Sequence, residues 1–397
     1  MPVLYSVIVF AALLALAVPA TLACIYLLIL TCLSGRTAPP PSARRKALFF
    51  DVIVPAHNEA AGVGATVASL LRLDWPPDRF RVVVIADNCT DSTALRAKEA
   101  GATVVERVDP VRRGKGYALQ DVFQWSRSQG LAEAVAVVDA DSTASANLLQ
   151  SFAARIEQGA CALQAHYGVL NADASWRTRL MSIALGSIHK LRSRARERLG
   201  LSCGIRGNGW CVTHALLDKV PYRAYSLTED VEFGVHLGLA GHRVAYCDES
   251  CVDGEMVTTE RAARSQRQRW EGGRFKLIRE QVPALILAAA AHRSLVCLDL
   301  AVDLLVLPLS YIVLNVTVLI VTGILISGPA KAPLLWVGVA DALALGIYVC
   351  RGWGLSGIGP AGFWDLLRVP VFLFWKVALL FSGQRATTWI RTKREKS

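Results

Sequence analysis

The chain has 397 residues, is 53% hydrophobic and carries a net charge of +11 from 43 basic and 32 acidic residues. That is too apolar for an ordinary soluble enzyme and too charged for a pure membrane bundle. The basic excess lies beside apolar segments, which points to a membrane surface rather than to nucleic acid.

Residues 3–33 hold no charge, and about 20 apolar residues suffice to cross a hydrocarbon core. The run lacks a basic leader and is longer than the h-region of a secretory signal, so a retained helix over 1–35 is expected. Arg36, Arg44, Arg45 and Lys46 follow it.

A soluble-looking α/β region follows. "LFFDVIVPAHNEAAGVGATVASLLRL" gives an apolar strand, a polar turn with Glu59, and a helix. "GVGATV" at 62–67 lacks the third glycine of a dinucleotide-binding fingerprint and reads as a helix N-terminus. "RFRVVVIADNCTDSTALRAKEAGA" repeats the plan, with a strand at 81–86, a turn holding Asp87 and Asn88, and a helix from Ser92 or Thr93. "ATVVERV" is a third strand, and "RRGKG" at 112–116, which carries Lys115, lacks the upstream glycine of a P-loop. "AEAVAVVDADS" is a fourth strand that ends in Asp139 and Asp141. Strands alternating with helices predict a doubly wound, mostly parallel sheet, with ligands beyond the strands' carboxyl ends.

Residues i and i+2 of an extended strand face the same way, so Asp139 and Asp141 are expected on one side at the ligand edge. Two carboxylates so close call for a shared hard cation, Mg²⁺ or Mn²⁺; a solvated acidic loop is the plainer alternative. In "SLTEDVEFGVHL", Thr228 is placed to cap a helix, with Glu229 and Asp230 in its first turn. These acids are either dipole partners or, for Asp230, a general base. "TTERAARSQRQRWEGGR" read as a helix puts Gln266, Arg269 and Trp270 on one face, suited to a diphosphate and a sugar ring or to an interfacial anchor. The ten cysteines include no CxxC pair, and Cys247 and Cys251 lack a partner set, so free thiols are expected.

Residues 304–326 hold no charge and 333–350 hold only Asp341. Crossings are expected near 299–327 and 333–350, with Asp299, Asp303 and Asp341 facing protein or a polar path. Eight basic residues from Arg351 onward, against Lys331 alone between the two crossings, place the N-terminus outside and the middle region and tail in the cytoplasm of an inner (plasma) membrane protein. Residues 363–381, split by Pro370, are expected to lie in the interface, and the arginine-rich helices at 176–198 and 261–279 against anionic headgroups. The organisation is then an N-terminal helix at 1–35, a catalytic domain at 47–257, interfacial helices at 258–292, two crossings at 293–350 and a basic tail at 351–397.

"VPAHNE", "ADN", "VDADS", "LTED" and "QRQRW" stand in the order and spacing of family 2 glycosyltransferases. The chain resembles the membrane-embedded synthases of cellulose, chitin, hyaluronan and chitooligosaccharides over roughly residues 48–280. The resemblance implies a GT-A fold, a UDP-sugar donor, a saccharide or lipid-linked acceptor, Mg²⁺ or Mn²⁺, and inversion to a β-glycosidic bond in oligo- or polysaccharide synthesis. By motif, Glu59, Asp87, Lys115 and Asp139 would contact the nucleotide and Asp141 the metal. Asp230 would be the base, supported by Thr228 and Glu229, while Gln266, Arg269 and Trp270 would hold the diphosphate and acceptor. His57 stands where many relatives carry tyrosine. With about three crossings, a single-addition glycolipid product is as compatible as a polymer, and assembly into homo-oligomers is compatible with both. A transporter or scaffold bearing an inactive transferase domain is the alternative of another class, opposed by the intact acids at 139, 141 and 230.

Overall fold

The computed structural model describes residues 2–39, 43, 46–258 and 260–368. Helix α1 (Pro2–Cys32) leads into a run of βα units: β1 (Phe50–Ala56), α2 (Val63–Leu70), β2 (Phe80–Asp87), α3 (Thr93–Glu99), β3 (Thr103–Arg107), α4 (Lys115–Gln129) and β4 (Ala134–Val137). Then come β5 (Ser142–Ala144), α5 (Leu148–Ile156), β6 (Ala162–Val169), α6 (Trp176–Leu185), a π-helical turn (Gly186–Leu191), α7 (Arg192–Arg198), β7 (Trp210–Thr213), α8 (His214–Lys219), α9 (Glu229–Leu239) and β8 (Ala245–Gly254). The chain continues through α10 (Glu260–His292), α11 (Leu295–Leu305), α12 (Leu309–Leu325), α13 (Lys331–Ser356) and α14 (Pro360–Leu366).

One eight-stranded sheet runs β3-β2-β1-β4-β7-β6-β8-β5. The first four strands are parallel, β7 is antiparallel to both its neighbours, β6 and β8 are parallel, and β5 caps the edge antiparallel to β8. β1 is buried on both faces because helices cover both sides: Phe50, Val52 and Val54 meet Val67, Leu70 and Phe152, while Ile53 meets Leu119, Val122 and Phe233. The parallel register aligns Ala56 with Ala86 and Ile53 with Val137. The polar residues that follow β1, β2 and β4 are thereby gathered at one carboxyl edge.

Among the described residues, two helices, Leu13–Cys32 and Lys331–Ser356, are long and apolar enough to cross a membrane. The expected crossing over 299–327 is not one straight helix. α11 and α12 meet at 67°, across Val306, Leu307 and Pro308. Proline cannot donate an amide hydrogen and disfavours helix in the residue before it, so the break falls there. α1 packs on α7, α12 and α13, and α13 on α6 and the π-helical turn. Asp341 is buried and accepts the Thr21 hydroxyl at 2.8 Å.

The expectation that the 176–198 arginines face lipid headgroups is corrected for three of them. Arg192, Arg194 and Arg196 are buried. Arg194 pairs with Asp248 at 2.8 Å, Arg196 with Asp299 at 2.8 Å and with Asp303 at 2.7 Å, and Arg192 with Asp303 at 3.2 Å. A charge enters a protein interior when a counter-charge is fixed there, and α11 supplies two. The 363–381 segment lies outside the described residues from 369 on. All ten cysteines are free thiols.

Candidate active site

The carboxyl edge opens into a cavity of about 1920 Å³. It is larger than the ~300–1,000 Å³ of a usual small-molecule site, which leaves space for two substrates. Glu59, Asp87, Lys115, Asp139, Asp141, Thr228, Glu229, Asp230, Gln266, Arg269 and Trp270 all line it. Residues up to 211 positions apart in sequence thus share one chamber.

Asp87 ends β2, where its carboxylate accepts from Arg107 Nη1 at 2.7 Å and Asn88 Nδ2 at 2.9 Å. The Asp87 carbonyl is 2.7 Å from His57 Nδ1, and Glu59 is held through its amide, which donates to Thr93 Oγ1 at 2.8 Å. Lys115 opens α4 and reaches three acceptors: Asp139 Oδ1 at 2.6 Å, the Gly207 carbonyl at 2.8 Å and Glu229 Oε1 at 3.8 Å. The helix can start this deep because the next residue is glycine. A Cβ on Gly116 would lie 2.1 Å from the Ala224 carbonyl oxygen.

β4 ends at Val137, so Asp139 and Asp141 are not on an extended strand, and the expected i, i+2 strand geometry is corrected. They flank a turn at Ala140 whose carbonyl accepts the Thr66 hydroxyl at 2.8 Å. The turn brings both carboxylates to the cavity all the same. The Asp139 amide donates to Asn208 Oδ1 at 3.0 Å, and Asn208 Nδ2 to Ser142 Oγ at 2.7 Å. Asp141 Oδ1 accepts from Ser142 Oγ at 3.1 Å.

The described residues contain no group of three or more His, Cys, Asp or Glu that could cage a metal. Two adjacent half-buried carboxylates facing a roomy cavity suit instead a hard divalent cation that keeps water and takes substrate phosphate as ligand. The residues present fit such an ion, which Asp141 would hold with Asp139 beside it.

Thr228 does stand at the N-cap of α9, but its side chain makes no cap bond. Its buried hydroxyl packs against α10, where a Cβ on Gly273 would fall 2.6 Å from Thr228 Cγ2. This close approach seats the helix of Gln266, Arg269 and Trp270 beside the start of α9. Burial pushes the Glu229 carboxyl up to about 7; Lys115 opposes the shift and Asp230 adds to it. Burial also raises Asp230, again against Lys115. Burial alone would lower Lys115, but Asp139 and Glu229 reverse this and hold the ammonium charged.

Sequence reasoning missed the loop "GIRGNG". Gly204, Gly207 and Gly209 adopt φ of +72°, +83° and +68°, a region that disfavours other residues. A Cβ on Gly207 would sit 3.2 Å from Asp230 Oδ2. The loop brings Arg206 and the Gly207 carbonyl to the cavity and Asn208 to Asp139. Three glycines within six residues were the available signal. Arg107, which fixes Asp87 from the neighbouring strand, carried none.

Sheet order, parallel half and acid-lined edge are those of a GT-A fold. The same fold occurs in the mannosyltransferase PcManGT from Pyrobaculum calidifontis, solved in complex with GDP-Man and Mn²⁺ (TM-score 0.57, 17% identity, 94% of this chain and 100% of that one). The chain belongs to the family described as glycosyltransferase like family 2, whose profile matches residues 47–273. Among curated proteins it is similar to a beta-monoglucosyldiacylglycerol synthase of Synechocystis sp., 32% identical over 233 residues, which cover 56% of this chain and 47% of the relative. It is also similar to a probable glucomannan 4-beta-mannosyltransferase of Oryza sativa, 25% identical over 248 residues, 59% of this chain and 42% of the relative. The chain spans about half the length of these curated relatives.

Proposed function

We propose that the protein transfers a sugar from a UDP-sugar, with inversion, to the hydroxyl of a lipid-linked acceptor at a membrane. The observation that carries this reading is the continuity of the cavity. From the Asp139 and Asp141 turn it extends past Asp230 to an apolar wall built by Leu180 and Met181 of α6, Val313, Val316 and Ile320 of α12, and Ala342, Leu345 and Val349 of α13. Of these helices α12 and α13 carry the membrane-type sequence, so a polar mouth and a lipid-like wall share one chamber. The similarity to a glycolipid synthase supports the same acceptor class.

Glu59, Asp87, Lys115 and Asp139 hold the nucleotide, and Gln266, Arg269 and Trp270 close over the diphosphate and the acceptor. Asp230 accepts the proton of the acceptor hydroxyl as its oxygen bonds to the sugar's anomeric carbon. The bond from that carbon to the diphosphate breaks, and UDP leaves with the electron pair. Attack opposite the leaving group gives the β-linkage from an α-linked donor. Asp141, with Asp139 beside it, would hold a divalent cation, which would supply positive charge to the departing diphosphate. The two candidate spans and the bent α11–α12 pair support a multi-pass protein. The basic residues flanking α1 and α13 support an outside N-terminus and a cytoplasmic catalytic face.

The test is nucleotide release from a panel of UDP-sugars, with GDP-mannose as comparison, by protein in detergent with and without diacylglycerol and sugar acceptors. Metal-dependent release stimulated by lipid, with one sugar per lipid in the product, is expected. Stimulation by oligosaccharide alone would transfer the assignment to polymer synthesis, and absence of release from every donor would favour the inactive-domain reading.

Two further results are expected. Gly346 lines the apolar wall, and a Cβ there would meet nothing within 4 Å. Gly346→Trp should fill the wall and raise KM for the lipid about tenfold, about 1.4 kcal/mol, with UDP affinity unchanged. An unaltered acceptor KM would show that the lipid runs elsewhere. The base must be ionised to act, and burial has raised its pKa, so activity should rise with pH along a limb above the ordinary aspartate range. Lys115 opposes that rise, so Lys115→Met should move the limb further up in a kcat/KM profile. A downward or absent displacement would remove Lys115 from the base's surroundings.

A further inference from the structure

The cavity is also lined by Arg192, Arg206 and Arg274, which gather around Asp303, the first two on its carboxylate and the third on its backbone carbonyl. Arg192 Nη1 is 3.2 Å and Arg206 Nη2 3.5 Å from the Asp303 carboxylate. Arg274 Nη2 donates to the Asp303 carbonyl and, at 2.8 Å, to the Val306 carbonyl, so that it caps the end of α11. Arg196 lies behind them on Asp299 and Asp303. Arg192, Arg196 and Arg206 thus share the two carboxylates of Asp299 and Asp303, Arg274 sits on backbone carbonyls, and the guanidiniums outnumber these two acids in a buried place. The nearby acid Glu271 also lines the cavity and accepts the Tyr311 hydroxyl at 3.1 Å.

Donors are left over as well as charge. Nε of Arg206 and Nε of Arg274 are buried with no hydrogen-bond partner among the described residues, and so is Nη1 of Arg196. The Arg206 and Arg192 side chains are only 10% and 6% exposed. Buried guanidinium hydrogens without acceptors are costly, and such groups are ordinarily satisfied. Burial and the neighbouring guanidiniums push Arg274 down to about 10, although Asp303 works the other way.

We propose that this arginine cluster binds a phosphate-type anion carried by the acceptor lipid, so that the preferred acceptor is an anionic rather than a neutral lipid. The proposal rests on the lipid-acceptor reading above and names the headgroup. Arginine forks match phosphate oxygens in pairs. Arg206 precedes Gly207, which lies against Asp230, so an anion held here keeps its hydroxyl neighbours close to the base. The apolar wall of α12 and α13 continues from the same place and takes the chains. The metal-binding turn at Asp139 and Asp141 belongs to the donor, which has its own cations in Lys115 and Arg269.

The test uses the full-length protein in detergent, with dioctanoyl phosphatidic acid, dioctanoylglycerol and inorganic phosphate as probes, and tryptophan fluorescence as the readout, since Trp176 and Trp270 line the cavity. Wild type should bind the phosphatidate about tenfold more tightly than the diacylglycerol, the order expected of one added charge-assisted contact. Inorganic phosphate should bind far more weakly than the phosphatidate. Arg274→Gln should erase the preference and Arg192→Lys should reduce it, while Mn²⁺-dependent UDP binding, measured on the same samples, stays within about twofold and reports an intact fold. Equal affinity for the two lipids, or a preference that survives both substitutions, would overturn the proposal. So would loss of UDP binding with Arg274→Gln, which would assign the cluster to the donor diphosphate. Inorganic phosphate binding as tightly as the phosphatidate would make this a free-anion site and not a headgroup site. Retained diacylglycerol binding without a phosphatidate preference sinks only this proposal; failure of both lipids to bind sinks the acceptor reading with it.

Discussion

Asp230→Asn should lower kcat by about 10²–10⁴-fold while the affinity for UDP and metal changes little. The asparagine keeps the shape of the side chain beside Gly207 but cannot take a proton. A general base acts only as the acceptor oxygen attacks, so its loss appears in kcat and not in donor binding. The substitution also removes a buried negative charge that Lys115 partly offsets, so the variant should fold at least as well as wild type. Titration of UDP in the presence of Mn²⁺, alongside steady-state turnover, separates the outcomes. A large loss of UDP affinity at near-normal kcat would move Asp230 to the donor side. Glu229 would then be the group to examine, because its carboxyl is raised to about 7 by the same burial.

Asp141→Asn should have an effect of comparable size by a different route. The Asp139 carboxylate accepts from the Lys115 ammonium at 2.6 Å, so in the proposed site Asp141 is the acid that gives its charge to the cation. An amide oxygen is a poorer ligand, so metal-dependent UDP binding should weaken by one to two orders of magnitude and turnover should fall by about 10³-fold, the scale seen when one electrostatic stabiliser of a leaving group is removed. Calorimetric titration of UDP with and without Mn²⁺ reads the first effect directly. If UDP binding were equally metal-dependent in the variant, the turn at Ala140 would not be the cation site.

Much of this site was legible in the sequence because each of its acids ends a local pattern. An apolar run that stops at Asp87 or at Val138-Asp139 marks a strand's carboxyl end, and consecutive βα units must bring such ends to one edge. The face made by Gln266, Arg269 and Trp270 follows from helical spacing alone. What stayed hidden depends on partners far apart in the chain. Arg196 and Asp299 are 103 positions apart, so Arg192, Arg194 and Arg196, read as part of a lipid-facing surface, proved to be interior. The place of β7 between β4 and β6, antiparallel to both, has no local signature either. The strand geometry assumed for Asp139 and Asp141 failed because a polar backbone turn, pinned by Thr66, replaced pleat with loop; alternation in sequence does not announce where a strand stops.

The ion pairs of α7 bear on how the enzyme meets its substrate. α7 lies between β6 and β7, inside the catalytic unit, yet Arg196 is fixed to Asp299 of α11 and to the Tyr26 hydroxyl of α1, at 2.6 Å. The catalytic unit is therefore clamped to α1 and α11 from within its own sequence as well as joined to them at its ends. If α1 and α13 span a bilayer as proposed, such a body would not tilt away from it, and the mouth of the chamber would stay at a fixed depth. On the lipid-acceptor proposal, a lipid would find it by diffusing in two dimensions, while the nucleotide sugar would arrive in three. The two substrates would enter from different phases, and neither needs to wait for the other to clear the entrance.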